Sequence, residues 1–195
     1  QTRVLFEICK EDEANPGASQ AIGTLYFNDQ RKFGFCKVIE TSEVEADSFI
    51  KKLAKEPWGM TDEEFKKNLM RHKKALIKPT ILDQTVVCGL GNIYADESLY
   101  FAKIHPERIV ESLSDEEIHE LLIGARTVMQ ESIDSGGSTM ATYVKADGTK
   151  GDYLTKFAKV FRREGEPCER CGTEIIKIKV AGRGTHLCPC CQKKF

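Results

Sequence analysis

Two cysteine pairs near the C-terminus constrain this chain more than any other feature. Two residues separate Cys168 from Cys171, sixteen residues follow, and Cys188 and Cys191 repeat the spacing. Two thiolates on one tight turn can share a tetrahedral metal, and a second such turn fills its coordination shell. Four sulfurs leave no position open for water or substrate, so the spacing predicts one structural zinc ion on Cys168, Cys171, Cys188 and Cys191. The ion stands in for the hydrophobic core that so short a segment lacks. Between the turns, Ile176, Ile178 and Val180 alternate with Lys177 and Lys179, and Ala181-Gly182-Arg183-Gly184 supplies a tight tip. That pattern predicts a β-hairpin with Arg183 projecting from its end. Cys9, Cys36, Cys88 and Cys190 are scattered and read as buried small hydrophobes or idle thiols. Cys190 lies inside the second turn, where it is either a competitor for the metal or a spare. His186 reads as packing or solvent-facing, since four sulfurs already suffice.

Formal net charge is −1, which by itself argues against a nucleic-acid partner. The distribution points the other way. Residues 1–64 carry 8 Lys/Arg against 13 Asp/Glu, whereas residues 140–195 carry 12 against 6. An acidic body with a basic end can face phosphates; the alternative is a chance imbalance on a solvated surface. No apolar run approaches the ~20 residues that span a bilayer, and no signal-peptide pattern opens the chain. The chain is therefore expected to be soluble and cytosolic. It opens on Gln1 and runs straight into the strand-like Arg3–Ile8, as expected of a fragment, a processed product or part of something longer.

Residues 3–8, 22–27 and 33–39 alternate or cluster apolar side chains as strands do, with a turn signal at Asn15-Pro16-Gly17. They read as the last strands of an antiparallel sheet. Helical patterning runs from Val44 to Lys55 and stops at Pro57. Thr61-Asp62-Glu63-Glu64 is a capping box opening a helix to about Arg71, and Ser114-Asp115-Glu116-Glu117 opens a longer one to about Asp134. Between them, an apolar stretch at Ala75–Val87 precedes Asn92, the expected N-cap of a helix over Ile93–Ala102. Residues 135–152 are rich in Gly, Ser, Thr and Asp and read as a mobile loop.

The most informative stretch is Lys78, then Leu82-Asp83-Gln84, then Gly89-Leu90-Gly91-Asn92-Ile93-Tyr94-Ala95-Asp96-Glu97. Two glycines allow a sharp turn and a close approach to another molecule. The following helix N-terminus favours an anion such as phosphate, and Lys78, one helix earlier, is within reach of the same anion. Further along lie Ile104-His105-Pro106, Gly136-Gly137-Ser138-Thr139, Arg163-Glu164-Gly165-Glu166-Pro167-Cys168 and Gly182-Arg183-Gly184-Thr185; earlier lies Phe27-Asn28-Asp29-Gln30-Arg31-Lys32-Phe33-Gly34. In these pieces, and in their order, the sequence closely resembles the formamidopyrimidine-DNA glycosylase family of base-excision repair enzymes.

The resemblance implies an α+β fold. Residues 1–41 would be the terminal strands of an antiparallel β-sandwich, 42–156 a helix–two-turn–helix DNA-binding domain with a lesion-capping loop at 135–152, and 157–195 a zinc ribbon. It implies double-stranded DNA with a damaged base or abasic site as partner, no membrane, and a monomer. Lys78 and Asn92 resemble residues that clamp phosphates beside the lesion, and Arg183 the hairpin arginine that binds the same backbone. Arg31 resembles the arginine that fills the gap left by a flipped base, and Phe33 the wedge that buckles the duplex. Read without the resemblance, Phe33 is also a candidate core strand residue and Arg31 a turn charge. Ala141, Thr142 and Tyr143 resemble the flap over the damaged base. Gln30 stands where the family usually has proline. Arg31 with Phe33 fits the oxidised-purine branch better than the pyrimidine-lesion branch. The family's nucleophile is an N-terminal proline amine beside a glutamate. No Pro-Glu start occurs here, so no catalytic residue is assigned, and a non-catalytic damaged-DNA-binding module is the alternative.

Overall fold

Both capping boxes form as their sequences require. Thr61 Oγ1 accepts from the Glu64 amide while the Glu64 carboxylate accepts from the Thr61 amide, and Ser114 and Glu117 repeat the exchange. They start helices α1 (Asp62–Met70) and α4 (Asp115–Asp134). The computed structural model describes residues 2–11, 15, 18–29, 32–138 and 151–194. These fall into two compact units, Gln1–Glu45 and Ala46–Phe195.

The first unit is built on an antiparallel hairpin of β1 (Thr2–Glu11) and β2 (Ser19–Asn28), with Leu5 opposite Tyr26 and Phe6 opposite Leu25. Large apolar side chains are exposed along it, among them Leu5, Ile8, Ile22, Leu25 and Tyr26. A two-stranded hairpin is marginal in water until a further layer covers one face. The expected third strand over 33–39 does not form. Instead the Asp29 carboxylate accepts from the Lys32 amide at 2.9 Å and the Gly34 amide at 2.7 Å, and Lys32 turns to φ 63°. A local side-chain acceptor here outcompetes a sheet ladder.

The helix expected over Val44–Lys55 is also absent. Two short 3-10 segments, Thr41–Ala46 and Ile50–Lys52, take its place. The Asp47 carboxylate between them accepts from the Phe49 amide, closing an Asx turn that breaks the helical run.

In the second unit, α4 lays Ile118, Leu121, Leu122, Ala125 and Val128 into the core at the spacing of one helix face. Opposite them lie Phe65 and Leu69 of α1 and Leu99 of α3 (Asn92–Phe101). The apolar stretch Ala75–Val87 holds a helix too short for periodicity to reveal, α2 (Ile77–Ile81), with Ile77 and Ile81 fully buried. Residues 82–91 turn the chain from α2 to α3. Gln84 braces this turn, donating to the Leu82 and Leu90 carbonyls and accepting from the Gly89 amide. Gly89 sits at φ +89°, and a Cβ there would lie 3.0 Å from Met129 Cε. Further on lie a short helix α5 (Tyr153–Lys156) and a hairpin of β3 (Ile176–Val180) and β4 (Arg183–Leu187), which leads into Cys188 and Cys191. No helix among the described residues is long and apolar enough to cross a membrane.

Candidate nucleic-acid interface

The four cysteine sulfurs lie within 4.8 Å of one another. Cys168 Sγ is 3.9 Å from Cys191 Sγ, and Cys171 Sγ is 3.5 Å from Cys188 Sγ. A tetrahedron with zinc–sulfur bonds of about 2.3 Å has sulfurs roughly 3.8 Å apart, so the donor set fits one structural zinc ion. Cys190 is exposed and outside the cluster, as are Cys9 and Cys36; Cys88 is half-buried. Of the two readings offered for the scattered cysteines, burial does not hold for Cys9, Cys36 and Cys190.

The zinc site is joined to α3. The Tyr100 hydroxyl lies 3.3 Å from Cys168 Sγ, and the Arg170 guanidinium stacks over the Tyr100 ring at 4.1 Å while donating to the Tyr100 carbonyl. Tyr100, Val160, Ile175, Cys168 and Cys188 form a small core of their own. Next to it, the buried Glu97 carboxylate accepts from three consecutive amides, Lys159, Val160 and Phe161. Burial pushes Glu97 above the ordinary carboxylate range against the pull of these amides.

Three of the residues singled out from sequence come together where α2, α3 and the hairpin tip meet. Ala181 and Gly182 both take positive φ, 45° and 80°, the left-handed pair that a two-residue hairpin turn requires. The turn presents Arg183, which is exposed, while Thr185, His186 and Leu187 behind it are buried. Asn92 is the first residue of α3, not its cap: Gly91 is the N-cap and offers no side chain. The Asn92 amide group is thereby released to donate to the Gly184 carbonyl at 3.0 Å. The first turn of α3 is left without a side-chain cap, an arrangement that favours an anion.

Lys78 departs most from expectation. Its side chain is 0% exposed, with Nζ 2.6 Å from Asp96 Oδ1. It also donates to Thr185 Oγ1 at 2.7 Å and to the Gly184 carbonyl at 3.1 Å. An ammonium has three donors, and these partners occupy all three. Lys78 therefore faces the protein and not the solvent. Burial pushes it below the ordinary lysine range, with Asp96 opposing that shift. Asp96 Oδ2 in turn accepts from the His186 amide, and His186 packs edge-on against Phe161 at 4.9 Å between ring centres. Sequence reasoning quoted Asp96 and Glu97 without assigning them work. The available signal was two adjacent acids inside an otherwise apolar helical run, Ala95–Tyr100.

Phe33 is 78% exposed on the first unit, so it is not a core strand residue there. Arg31 lies outside the described residues, as do Ala141, Thr142 and Tyr143. Among the described residues, Ser138 and Asp152 form an antiparallel bridge and the Tyr153 amide donates to the Gly137 carbonyl. Beside it, the Tyr94 hydroxyl lies 2.7 Å from Ser132 Oγ and 2.9 Å from Ser138 Oγ.

A short buried helix, a braced glycine turn, a second helix and a cysteine-clustered hairpin docked on it define a helix–two-turn–helix protein with a zinc ribbon. Residues 53–144 match the family model described as the formamidopyrimidine-DNA glycosylase H2TH domain, and residues 165–194 the zinc finger found in FPG and IleRS. The chain is 43% identical over 170 residues to the formamidopyrimidine-DNA glycosylase of Pelotomaculum thermopropionicum, covering 87% of this chain and 61% of that protein. Its structure is similar to that of the Lactococcus lactis enzyme in complex with DNA containing an abasic site, with a TM-score of 0.81 and 43% identity. That match covers 91% of this chain and 65% of the other. A second Lactococcus lactis complex, non-covalently bound to DNA with an AP site, matches at TM-score 0.79 and 38% identity over 97% of this chain and 71% of that one. This chain belongs to the formamidopyrimidine-DNA glycosylase family.

Proposed function

We propose that this chain is the DNA-gripping part of a base-excision repair glycosylase and AP lyase acting on oxidised purines in duplex DNA. The observation that carries the reading is the convergence of the α3 N-terminus, Asn92 and the exposed Arg183 on one patch. An uncapped helix start and an exposed guanidinium are both suited to holding a phosphate. Zinc bound by the four cysteines supplies no chemistry to the reaction; it fixes the fold of the hairpin that presents Arg183.

Within this reading, Arg31 fills the space of the extruded base, Phe33 wedges the stack, and Ala141, Thr142 and Tyr143 cap the lesion. The helical segment to residue 156 and the ribbon from 157 act together as one clamp. The nucleophile is the N-terminal proline amine implied by the family, to which no residue of the patch corresponds. The chain spans 61% of the length of the Pelotomaculum relative, and the glycosylase activity belongs to the whole protein. A bacterial cytoplasm, where the nucleoid lies, is the compartment that fits.

The test is binding to a duplex with an abasic site opposite cytosine, followed by fluorescence anisotropy across a salt series, with borohydride trapping in parallel. Salt-dependent binding without a covalent adduct is expected. Arg183→Ala should lower the salt slope by about one and weaken damaged and intact duplex alike, because phosphates carry no damage information. An adduct would place lyase chemistry on an amine of this chain, and absence of salt-dependent binding would end the reading.

A further inference from the structure

Lys78 and Asp96 bury a full pair of charges, which proteins rarely do without a task, and nothing in the DNA-binding reading uses an ammonium that faces inward. Its partners say what it holds. One N–H goes to Thr185 Oγ1 at 2.7 Å, and that hydroxyl donates its own proton to the Arg183 carbonyl at 3.0 Å. A second N–H goes to the Gly184 carbonyl, which also accepts from Asn92. Asp96, besides facing the ammonium, takes the His186 amide at 2.9 Å. Main-chain groups of Gly184 and His186 are thus pinned directly by side chains from α2 and α3, and that of Arg183 through Thr185, itself held by Lys78.

The hairpin itself fixes this segment from only one side. β4 pairs with β3, Val180 facing Arg183, and its other edge has no strand partner among the described residues. The Lys78–Thr185–Arg183 relay supplies the missing constraint on that edge. The ammonium is the right group for it. It offers three donors at once to the two acceptors of the tip and to Asp96, and a neutral side chain of similar length offers fewer.

We propose that Lys78, Asp96 and Thr185 are positioning residues for Arg183. On this account they never touch DNA, and they fix the backbone from which the guanidinium reaches the same phosphate that the α3 N-terminus faces. The inference rests on the DNA-binding reading above, with Lys78 moved from the contact surface to the support beneath it. A guanidinium held in place loses less conformational freedom on binding than one on a loose tip, so loosening the tip costs affinity without removing a contact group.

Thr185→Val tests this, because it keeps the side chain's shape and removes only the hydroxyl. Zinc content and melting temperature, read first, establish that the variant is folded. Binding to the abasic duplex is then measured across a salt series for the parent chain, Thr185→Val, Thr185→Ser, Arg183→Ala and the Arg183→Ala/Thr185→Val double variant. We expect Thr185→Val to bind about three- to tenfold more weakly, the range of one lost hydrogen bond, with a salt slope shifted toward that of Arg183→Ala. Thr185→Ser should restore both, and the double variant should bind no more weakly than Arg183→Ala alone. A purely structural role for Thr185 would not move the salt slope and would add to Arg183→Ala. An unchanged slope in folded Thr185→Val, or additive losses in the double variant, overturns the proposal. If Thr185→Val does not fold, Lys78→Met/Asp96→Leu replaces the ion pair by apolar groups of similar volume and is held to the same criteria. Parent binding with no salt dependence, or no effect of Arg183→Ala, marks failure of the underlying reading instead.

Discussion

Replacing Glu97 by glutamine should loosen one of the joins between the helices and residues 159–161 while leaving the apolar contacts in place. Its carboxylate is 1% exposed; Oε2 accepts from the Lys159 amide at 2.8 Å, and Oε1 from Val160 at 3.0 Å and Phe161 at 2.8 Å. A glutamine carbonyl in place of Oε1 can keep Val160 and Phe161. Its NH2 group then faces the Lys159 amide, donor against donor. The loss is one hydrogen bond to a charged acceptor, worth about 1.5–3 kcal/mol, plus a share of the ~1–3 kcal/mol for the amide left unpaired. Relief from burying a charge offsets part of that, leaving a net destabilisation of about 2 kcal/mol. For a unit of this size that is a fall of roughly 4–8 °C in melting temperature, measurable by circular dichroism. The pH dependence has a definite sign. Burial holds Glu97 above the ordinary carboxyl range, so its contribution is fully present below the unfolded pKa and is lost as pH rises through the raised one. A melting temperature within about 1 °C of the parent would refute the assignment of Glu97 as the clasp on residues 159–161.

Three further outcomes follow from the same geometry. Cys171→Ser should abolish stoichiometric zinc binding, read by elemental analysis; a content still near one ion per chain would remove Cys171 from the ligand set. Gly89→Ala should destabilise the fold by about 1–3 kcal/mol, because φ +89° is strained for alanine and the new methyl meets Met129 at 3.0 Å; an unchanged urea midpoint would contradict this. Tyr100→Phe should speed zinc transfer to a chromogenic chelator severalfold by removing the hydroxyl at 3.3 Å from Cys168 Sγ; equal transfer rates would show that this contact does not stabilise the site.

What the sequence made legible and what it hid divide along physical lines. The capping boxes at Thr61 and Ser114, the periodic face of α4 and the β3–β4 hairpin are local signals, readable within a few residues, and all three form. The four zinc ligands were readable for the same reason, whereas the α+β architecture rested on the family resemblance. The strand over 33–39 and the helix over Val44–Lys55 failed where one aspartate, Asp29 or Asp47, captures nearby amides and breaks the regular element. Apolar periodicity does not register that competition. The cap expected at Asn92 falls to Gly91: Asn92 occupies the first turn of α3 and donates its side-chain amide to Gly184, 92 residues away. Lys78 shows the limit most plainly. A lysine between an apolar run and a glycine turn looks like a phosphate ligand, and only tertiary structure reveals Asp96 and Thr185 closing over it.

The ribbon shares its small core with Tyr100 of α3 and anchors Gln192 on the Ile104 carbonyl, so it does not hang from the helices as an appendage. Metal binding and the folding of the helical unit are then linked by mass action. Each tenfold rise in free zinc above the dissociation constant adds about 1.4 kcal/mol to the stability of the ribbon and of whatever melts with it. Helix α3, which carries Tyr100, therefore draws part of its stability from the ambient metal concentration. In a zinc-starved cell the first loss would be a lower threshold for unfolding, reached before any change in the side chains at the start of α3.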